Sequence, residues 1–200
     1  MKKIYLFRHG ETDWNVKNVI QCTKDTELNE NGIKQAEKNA EKLKDFGIEI
    51  VFSSPLKRAY KTSEILAKKI NKKVEINDSL KELNGGDYEG KPKDEVKKLF
   101  GNDNYESFFH TKDKGLDLYF PNGETKIEAR NRIYKAVLDI CEETNYKIIG
   151  ICSHGFMLRE FLRACNFDND SGLKNCEIIE AEYDEKNKKL KIIRRIKNED

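Results

Sequence analysis

Two short apolar runs in this chain, Ile4-Tyr5-Leu6-Phe7 and Ile148-Ile149-Gly150-Ile151-Cys152, each lead almost directly into a histidine. Runs of this length read as buried strands, and in an open α/β sheet ligands bind in the crevice beyond the carboxyl ends of the strands. The first run continues as Arg8-His9-Gly10-Glu11-Thr12 and the second as Ser153-His154-Gly155. Only three histidines occur in 200 residues, so two at strand ends read as placed.

Around these runs strand and helix signals alternate, which predicts an α/β fold with a largely parallel sheet. Asn29 stands where it can cap a helix running to about Phe46, with Ile33, Ala36, Ala40 and Leu43 as its apolar stripe and Gly47 at its end. Residues 48–52 read as a second strand, and Pro55 suits the first turn of the next helix. A third strand is expected at Val74-Glu75-Ile76, a short helix over 93–100 and a longer one over 125–144. A strand over 147–152 and a helix over 156–165 follow, and residues 177–183 and 189–196 predict a closing hairpin. Residues 101–122 show no clean period and are expected to be irregular, part of a lid or insertion spanning about 83–122. The chain therefore reads as one domain over residues 1–200, a three-layer α/β/α sandwich. Its central sheet is expected to be mostly parallel with an antiparallel C-terminal edge hairpin, and its last residues, 197–200, to fray.

Hydrophobic and charged residues each make up 37% of the chain and the net charge is +2. That balance, with lysines scattered among glutamates on helix faces, argues against nucleic acid or a membrane surface as partner. No stretch approaches the roughly 18 consecutive apolar residues of a membrane span, and the N-terminal strand is too short for a secretory segment, so a cytoplasmic location is expected. Cys22, Cys141, Cys152, Cys165 and Cys176 are odd in number and show neither C-x-x-C nor metal-ligand spacing. Reduced thiols and no metal are the expectation.

Four segments carry polar groups able to converge: Arg8 with His9, Arg58 after Ser54-Pro55, Glu82, and His154 with Gly155. Arginine forks match phosphate oxygens bidentately, and helix N-termini behind Ser54-Pro55 and at Gly155 add N–H groups for the same anion. Arginines nearby disfavour imidazolium, leaving a neutral imidazole as nucleophile, and a carboxyl such as Glu82 or its neighbour Glu89 would donate a proton to the leaving oxygen. Glu82, just after the apolar Leu80, is the preferred candidate.

These motifs resemble those of the histidine phosphatase superfamily, in the phosphoglycerate mutase-like branch that includes fructose-2,6-bisphosphatases and α-ribazole phosphatase-like enzymes. The resemblance rests on Arg8-His9-Gly10-Glu11-Thr12 with Trp14-Asn15, Leu28 with Gly32 and Gln35-Ala36, and Ser53-Ser54-Pro55-Leu56-Lys57-Arg58-Ala59. It continues in Glu82 with Tyr88-Glu89-Gly90, in Pro121-Asn122-Gly123-Glu124-Thr125, and in Ser153-His154-Gly155. It implies that His9 is phosphorylated, that Glu82 acts as acid and then base, and that Arg8, Arg58 and His154 hold the phosphoryl oxygens. Asn15, Gln21, Cys22 and Gly155 are the expected phosphate or substrate contacts. Cys22 stands where the family usually has glycine, which would narrow the pocket or place an oxidation-sensitive thiol near cations, though a small space-filler is the simplest reading of it.

The implied activity is a metal-independent phosphomonoesterase acting on a small phosphorylated metabolite, as a monomer or homodimer. A cofactor-dependent mutase uses the same residues, and only then would bisphosphoglycerate be a cofactor; the tandem arginines of mutases are missing, with no arginine between Arg58 and Arg130. A non-catalytic sensor of a phosphorylated ligand is the reading from another class, and the full set of core residues speaks against it. His110 and the aromatics from Tyr105 to Phe120 read as lid packing near the substrate.

Overall fold

The computed structural model describes residues 1–167 and 172–197. At its centre lies β1 (Lys2–Arg8), whose alternate side chains feed two cores. Ile4 and Leu6 enter one, Tyr5 and Phe7 the other, as period-two alternation requires of a strand covered on both faces. β1 pairs in parallel with β4 (Ile148–Ser153) and β4 with β2 (Ile50–Ser53), which in turn pairs with β3 (Val74–Ile76). On the other side β5 (Ile178–Asp184) and β6 (Lys189–Ile196) run antiparallel, giving the sheet order β3-β2-β4-β1-β5-β6.

Helices α2 (Glu30–Leu43) and α3 (Lys57–Ile70) cover one face, where Ala40, Leu43, Ala59 and Leu66 pack on Tyr5 and Phe7. Helices α4 (Lys93–Phe100), α5 (Asn102–His110), α6 (Lys126–Glu143) and α7 (Gly155–Ala164) belong to the opposite face. A short α1 (Asp13–Val16), which the sequence did not suggest, follows β1 under a Thr12 capping box. The expected sandwich, mixed sheet and C-terminal hairpin are all present. Among the described residues no helix is long and apolar enough to cross a membrane.

Three expectations need correction. α3 begins at Lys57 under Leu56, so Pro55 precedes the cap instead of occupying the first turn. In α2 Ile33 is 37% exposed while Asn39 is buried, so the inward stripe is displaced around the helix. The larger change concerns 101–122, where residues 102–110 form α5. Its Phe108 stacks on Phe156 with centroids 5.2 Å apart and packs against Phe100 and Phe120, so tertiary burial overrides an asparagine-rich sequence of modest helix propensity. The fully buried Lys126 secures its C-terminal end, donating to the carbonyls of Ser107, Thr111 and Lys114. The fraying expected at 197–200 lies, beyond Lys197, outside the described residues.

Register positions the chemistry. Arg8 is paired with Ser153, so β1 and β4 end in step; the His9 N–H donates to the Ser153 carbonyl at 3.2 Å and the Ser54 N–H to the Cys152 carbonyl at 3.1 Å. Three adjacent strand ends thus deliver Arg8-His9, His154 and the start of α3 to one crevice.

Candidate active site

The turn after β1 is held in place by close backbone contact with α2. A Cβ on Gly10 would lie 2.3 Å from the Gly32 carbonyl oxygen, and one on Gly32 would lie 2.0 Å from that of Glu11, so both positions require glycine. Glu11 anchors the turn by accepting from the side chains of Asn29 and Asn31, while its N–H donates to Gln35. Gly32 and Gln35 therefore carry the turn that presents His9, which is their physical part in the motif.

His9 is 2% exposed, and its Nδ1 lies 2.7 Å from the Gly10 carbonyl oxygen. A carbonyl only accepts, so Nδ1 carries the proton and Nε2 keeps its lone pair. His154 is fully buried, its ring centroid 5.2 Å from that of His9, with Nε2 2.8 Å from the Ser54 hydroxyl. Burial, Arg58 and Arg8 hold the His9 imidazolium well below its ordinary range, and burial, Arg58 and His9 do the same to His154. Both rings are neutral at neutral pH.

This makes stability depend on pH. The unfolded chain takes up protons on these histidines below about pH 6.5 while the folded chain does not, so stability is full above that pH and is lost as the pH falls toward the depressed folded values. Each ring contributes a slope of up to about 1.4 kcal/mol per pH unit. Urea midpoints should therefore decline between about pH 6.5 and 5, above the range where ordinary carboxylates titrate. A flat midpoint across that window would contradict the depressed pair.

The cations come from different elements. Arg8, at the end of β1, donates from Nη1 to the Leu173 carbonyl at 2.6 Å, and a Cβ on Gly155 would stand 3.2 Å from its Cζ. Gly155 thus lets the guanidinium approach the start of α7 closely. Arg58, 1% exposed on α3, donates to the carbonyls of Cys22 and Lys24, each at 2.7 Å, and so fixes the loop beside the cavity. Arg8 Nε, Arg58 Nε, His154 Nδ1 and Arg159 Nε are buried without a hydrogen-bond partner, four of the five such side-chain atoms among the described residues. Each unsatisfied group costs about 1–3 kcal/mol, and their clustering fits an anionic ligand.

Glu82 lines the same cavity, its carboxylate accepting from the N–H groups of Leu83 at 3.0 Å and of Phe156 and Met157 at 3.3 Å. The last two of these donors belong to the N-terminal turn of α7, where backbone N–H groups have no partner within the helix. The backbone of Glu82 is clamped from behind: Arg132 donates to the carbonyls of Ser79, Lys81 and Glu82, and the Ser153 hydroxyl donates to that of Leu80. Glu89 instead spends one oxygen on the Thr23 N–H, the Thr23 hydroxyl and the Gly85 N–H; of the site candidates, it and His154 stand outside the cavity lining, His154 next to the lining residues His9 and Gly155. Arg132 escaped sequence reading because the register between α6 and the Glu82 loop is a tertiary property.

Asn15, Gln21, Cys22 and Gly155 all line the cavity, whose volume is about 270 Å³. Gln21 has its Oε1 engaged by the hydroxyls of Thr12 and Thr26 at 3.0 and 2.6 Å. Cys22 has φ 45°, in the left-handed region, where a side chain costs about 1–2 kcal/mol, which explains glycine as the usual occupant. Of the roles open to its thiol, the buried setting favours space-filling over oxidation sensitivity. Burial, together with Glu82 and Glu89, pushes the thiol well above the ordinary range despite Arg58, so it stays a protonated space-filler.

Arg159 was missed altogether. It lies one helical turn after Phe156 on the cavity side of α7, a spacing that could have revealed it. Its guanidinium packs over the rings of Phe156 and Phe109 at 5.3 and 5.8 Å, and burial with Arg163 beside it lowers its pKa to about 10, still charged at neutral pH. Glu160 is committed to Arg130 and Arg163. Lys93 adds a further cation to the cavity lining, and His110, whose imidazolium is disfavoured by burial and Arg159, adds a neutral ring. Among the described residues no group of three or more His, Cys, Asp or Glu side chains is arranged to hold a metal ion.

Residues 4–195 match the family model of the histidine phosphatase superfamily (branch 1). An uncharacterized phosphatase, PhoE, of Bacillus subtilis (strain 168) is 31% identical over 181 residues, covering 90% of this chain and 86% of the relative. A probable phosphoglycerate mutase, GpmB, of Proteus mirabilis (strain HI4320) is 32% identical over 189 residues, covering 92% of this chain and 86% of the relative. Among solved structures, a mutant phosphoserine phosphatase from Entamoeba histolytica in complex with phosphoserine superposes with a TM-score of 0.82 at 28% identity, covering 98% of this chain and 96% of the other. Phosphoserine phosphatase from the same organism, in complex with 3-phosphoglyceric acid, gives 0.81 at 27% identity, covering 99% and 98%.

Proposed function

The chain belongs to branch 1 of the histidine phosphatase superfamily, and from that premise we propose that it hydrolyses a small phosphomonoester through a phosphohistidine on His9. One observation carries the reading: a neutral His9, tautomer set by Gly10, stands between two arginines in the cavity that Glu82 lines. Nε2 attacks phosphorus as the bond to the ester oxygen breaks, and the Glu82 carboxyl gives that oxygen its proton. Water then attacks the phosphohistidine, Glu82 takes a proton from it, and the N–P bond breaks to release inorganic phosphate. Arg8, Arg58, His154 and Asn15 hold the phosphoryl oxygens throughout. With the developing charge met by these groups, the reaction proceeds without an added metal or organic cofactor.

Lys93 and Arg159 at the mouth support a substrate with a second anionic group, as in the phosphoserine and 3-phosphoglyceric acid held by the Entamoeba relative. The mutase reading is favoured by the relatives named as probable mutases and uses the same first step. Steady release of inorganic phosphate from an aryl phosphate and from small phosphorylated carboxylic acids, in excess chelator, is the expected result. Interconversion of phosphoglycerates that needs bisphosphoglycerate and liberates no phosphate would establish the mutase instead. Binding without either outcome would leave only a sensor.

A further inference from the structure

The segment leading into β5 touches three members of the site. The Leu173 carbonyl accepts from Arg8 Nη1 at 2.6 Å, and the Cys176 N–H donates to the Arg8 carbonyl at 3.1 Å. Between them the Asn175 amide nitrogen donates to the His9 carbonyl at 2.9 Å and to Asn15 Oδ1 at 3.3 Å. The same Asn15 Oδ1 lies 3.1 Å from the Thr12 N–H and 3.2 Å from the Thr12 hydroxyl. An amide turned the other way would set its NH₂ against the Thr12 N–H and the Asn175 NH₂, donor against donor. The Asn15 oxygen is therefore committed inward, and its nitrogen is the end offered to the cavity that Asn15 lines.

We propose that Asn175 is a positioning residue: it fixes the Asn15 amide with its N–H groups toward the phosphoryl oxygens and tethers the His9 backbone, acting on phosphate recognition through Asn15. This rests on the reading of the cavity as a phosphoryl site. The two hydrogens of the Asn175 amide are matched to two acceptors on opposite sides of the His9–Asn15 turn, so one side chain from the far end of the chain sets the spacing between nucleophile and phosphate donor. Removing it leaves Asn15 held by Thr12 alone and free to present its oxygen to the anion. An aspartate at 175 does more, because it accepts and cannot donate, and draws the Asn15 nitrogen away from the cavity.

The test is a double-mutant cycle on the full chain, read as equilibrium affinity for inorganic phosphate and for vanadate, with kcat and KM measured alongside. Asn175→Ala is expected to weaken phosphate about 10-fold and Asn15→Ala by at least as much, each the loss of one charge-assisted hydrogen bond. The double variant should be no weaker than Asn15→Ala alone. Asn175→Asp, which conserves volume, should lose more than Asn175→Ala in the native background and, in the Asn15→Ala background, only the part owed to the repulsion of its added charge, with the urea midpoint separating folding from function. Multiplying effects of Asn175→Ala and Asn15→Ala, or unchanged phosphate affinity in folded Asn175→Asp, would overturn the proposal. Phosphate binding without turnover in the native protein would remove the hydrolase reading and leave the cycle readable; no phosphate binding would remove both.

Discussion

Replacing His9 with alanine is expected to lower kcat on any phosphomonoester by at least about 10⁴-fold, the scale seen when the nucleophile of a covalent mechanism is removed. Phosphate affinity should persist, because Arg8, Arg58 and His154 are supplied by β1, by α3 and by the end of β4, and none depends on the His9 ring for its hydrogen bonds. The same variant should make the decline of stability below about pH 6.5 shallower, since one of the three rings held below the ordinary range by burial and nearby arginines is gone. Loss of turnover with retained binding and a shallower acid dependence is a joint signature that general destabilisation does not produce. Assays of phosphate release, phosphate affinity and urea midpoints on one preparation check all three.

Glu82→Gln carries the second large effect, a fall in kcat of about 10²–10⁴-fold for alkyl phosphates, whose leaving oxygen needs a proton. The loss should shrink for aryl phosphates with acidic leaving groups, where bond cleavage no longer waits on proton donation. Glutamine retains an oxygen for the Leu83 and Met157 N–H groups, and Arg132 with Ser153 still holds the backbone of residues 79–82. The fold should survive, and the dependence on leaving group separates proton transfer from substrate placement. An equal loss across all leaving groups would assign Glu82 to positioning, and full activity would return Glu89 to consideration.

The residues delivered by local signals were legible in the chain, because strand ends and helix starts announce themselves. His9 and His154 follow apolar runs, Arg58 follows a proline-led turn, and the structure brings them together through the in-step ends of β1 and β4. Features that depend on which elements meet were not legible. α5 forms because Phe108 finds Phe156, Phe100 and Phe120, and because Lys126 satisfies its last carbonyls. Arg132 serves Glu82 across the space between α6 and a loop, and Asn175 reaches Asn15 across 160 positions of sequence. Arg159 was the exception, carried by a simple helical spacing from Phe156 yet passed over. For Cys22 the chain left a reactive thiol and a space-filler open, and burial, which outweighs the arginine beside it, favours the space-filler.

The central claim is that the phosphoryl group rests on His9 Nε2 between leaving its ester and reaching water. The stereochemical course at phosphorus measures this directly, using a thiophosphate monoester made chiral by oxygen isotopes and hydrolysed in isotopically labelled water. Two successive in-line displacements predict net retention of configuration in the released thiophosphate. Net inversion would mean that water attacks the ester in one step and would contradict the phosphohistidine.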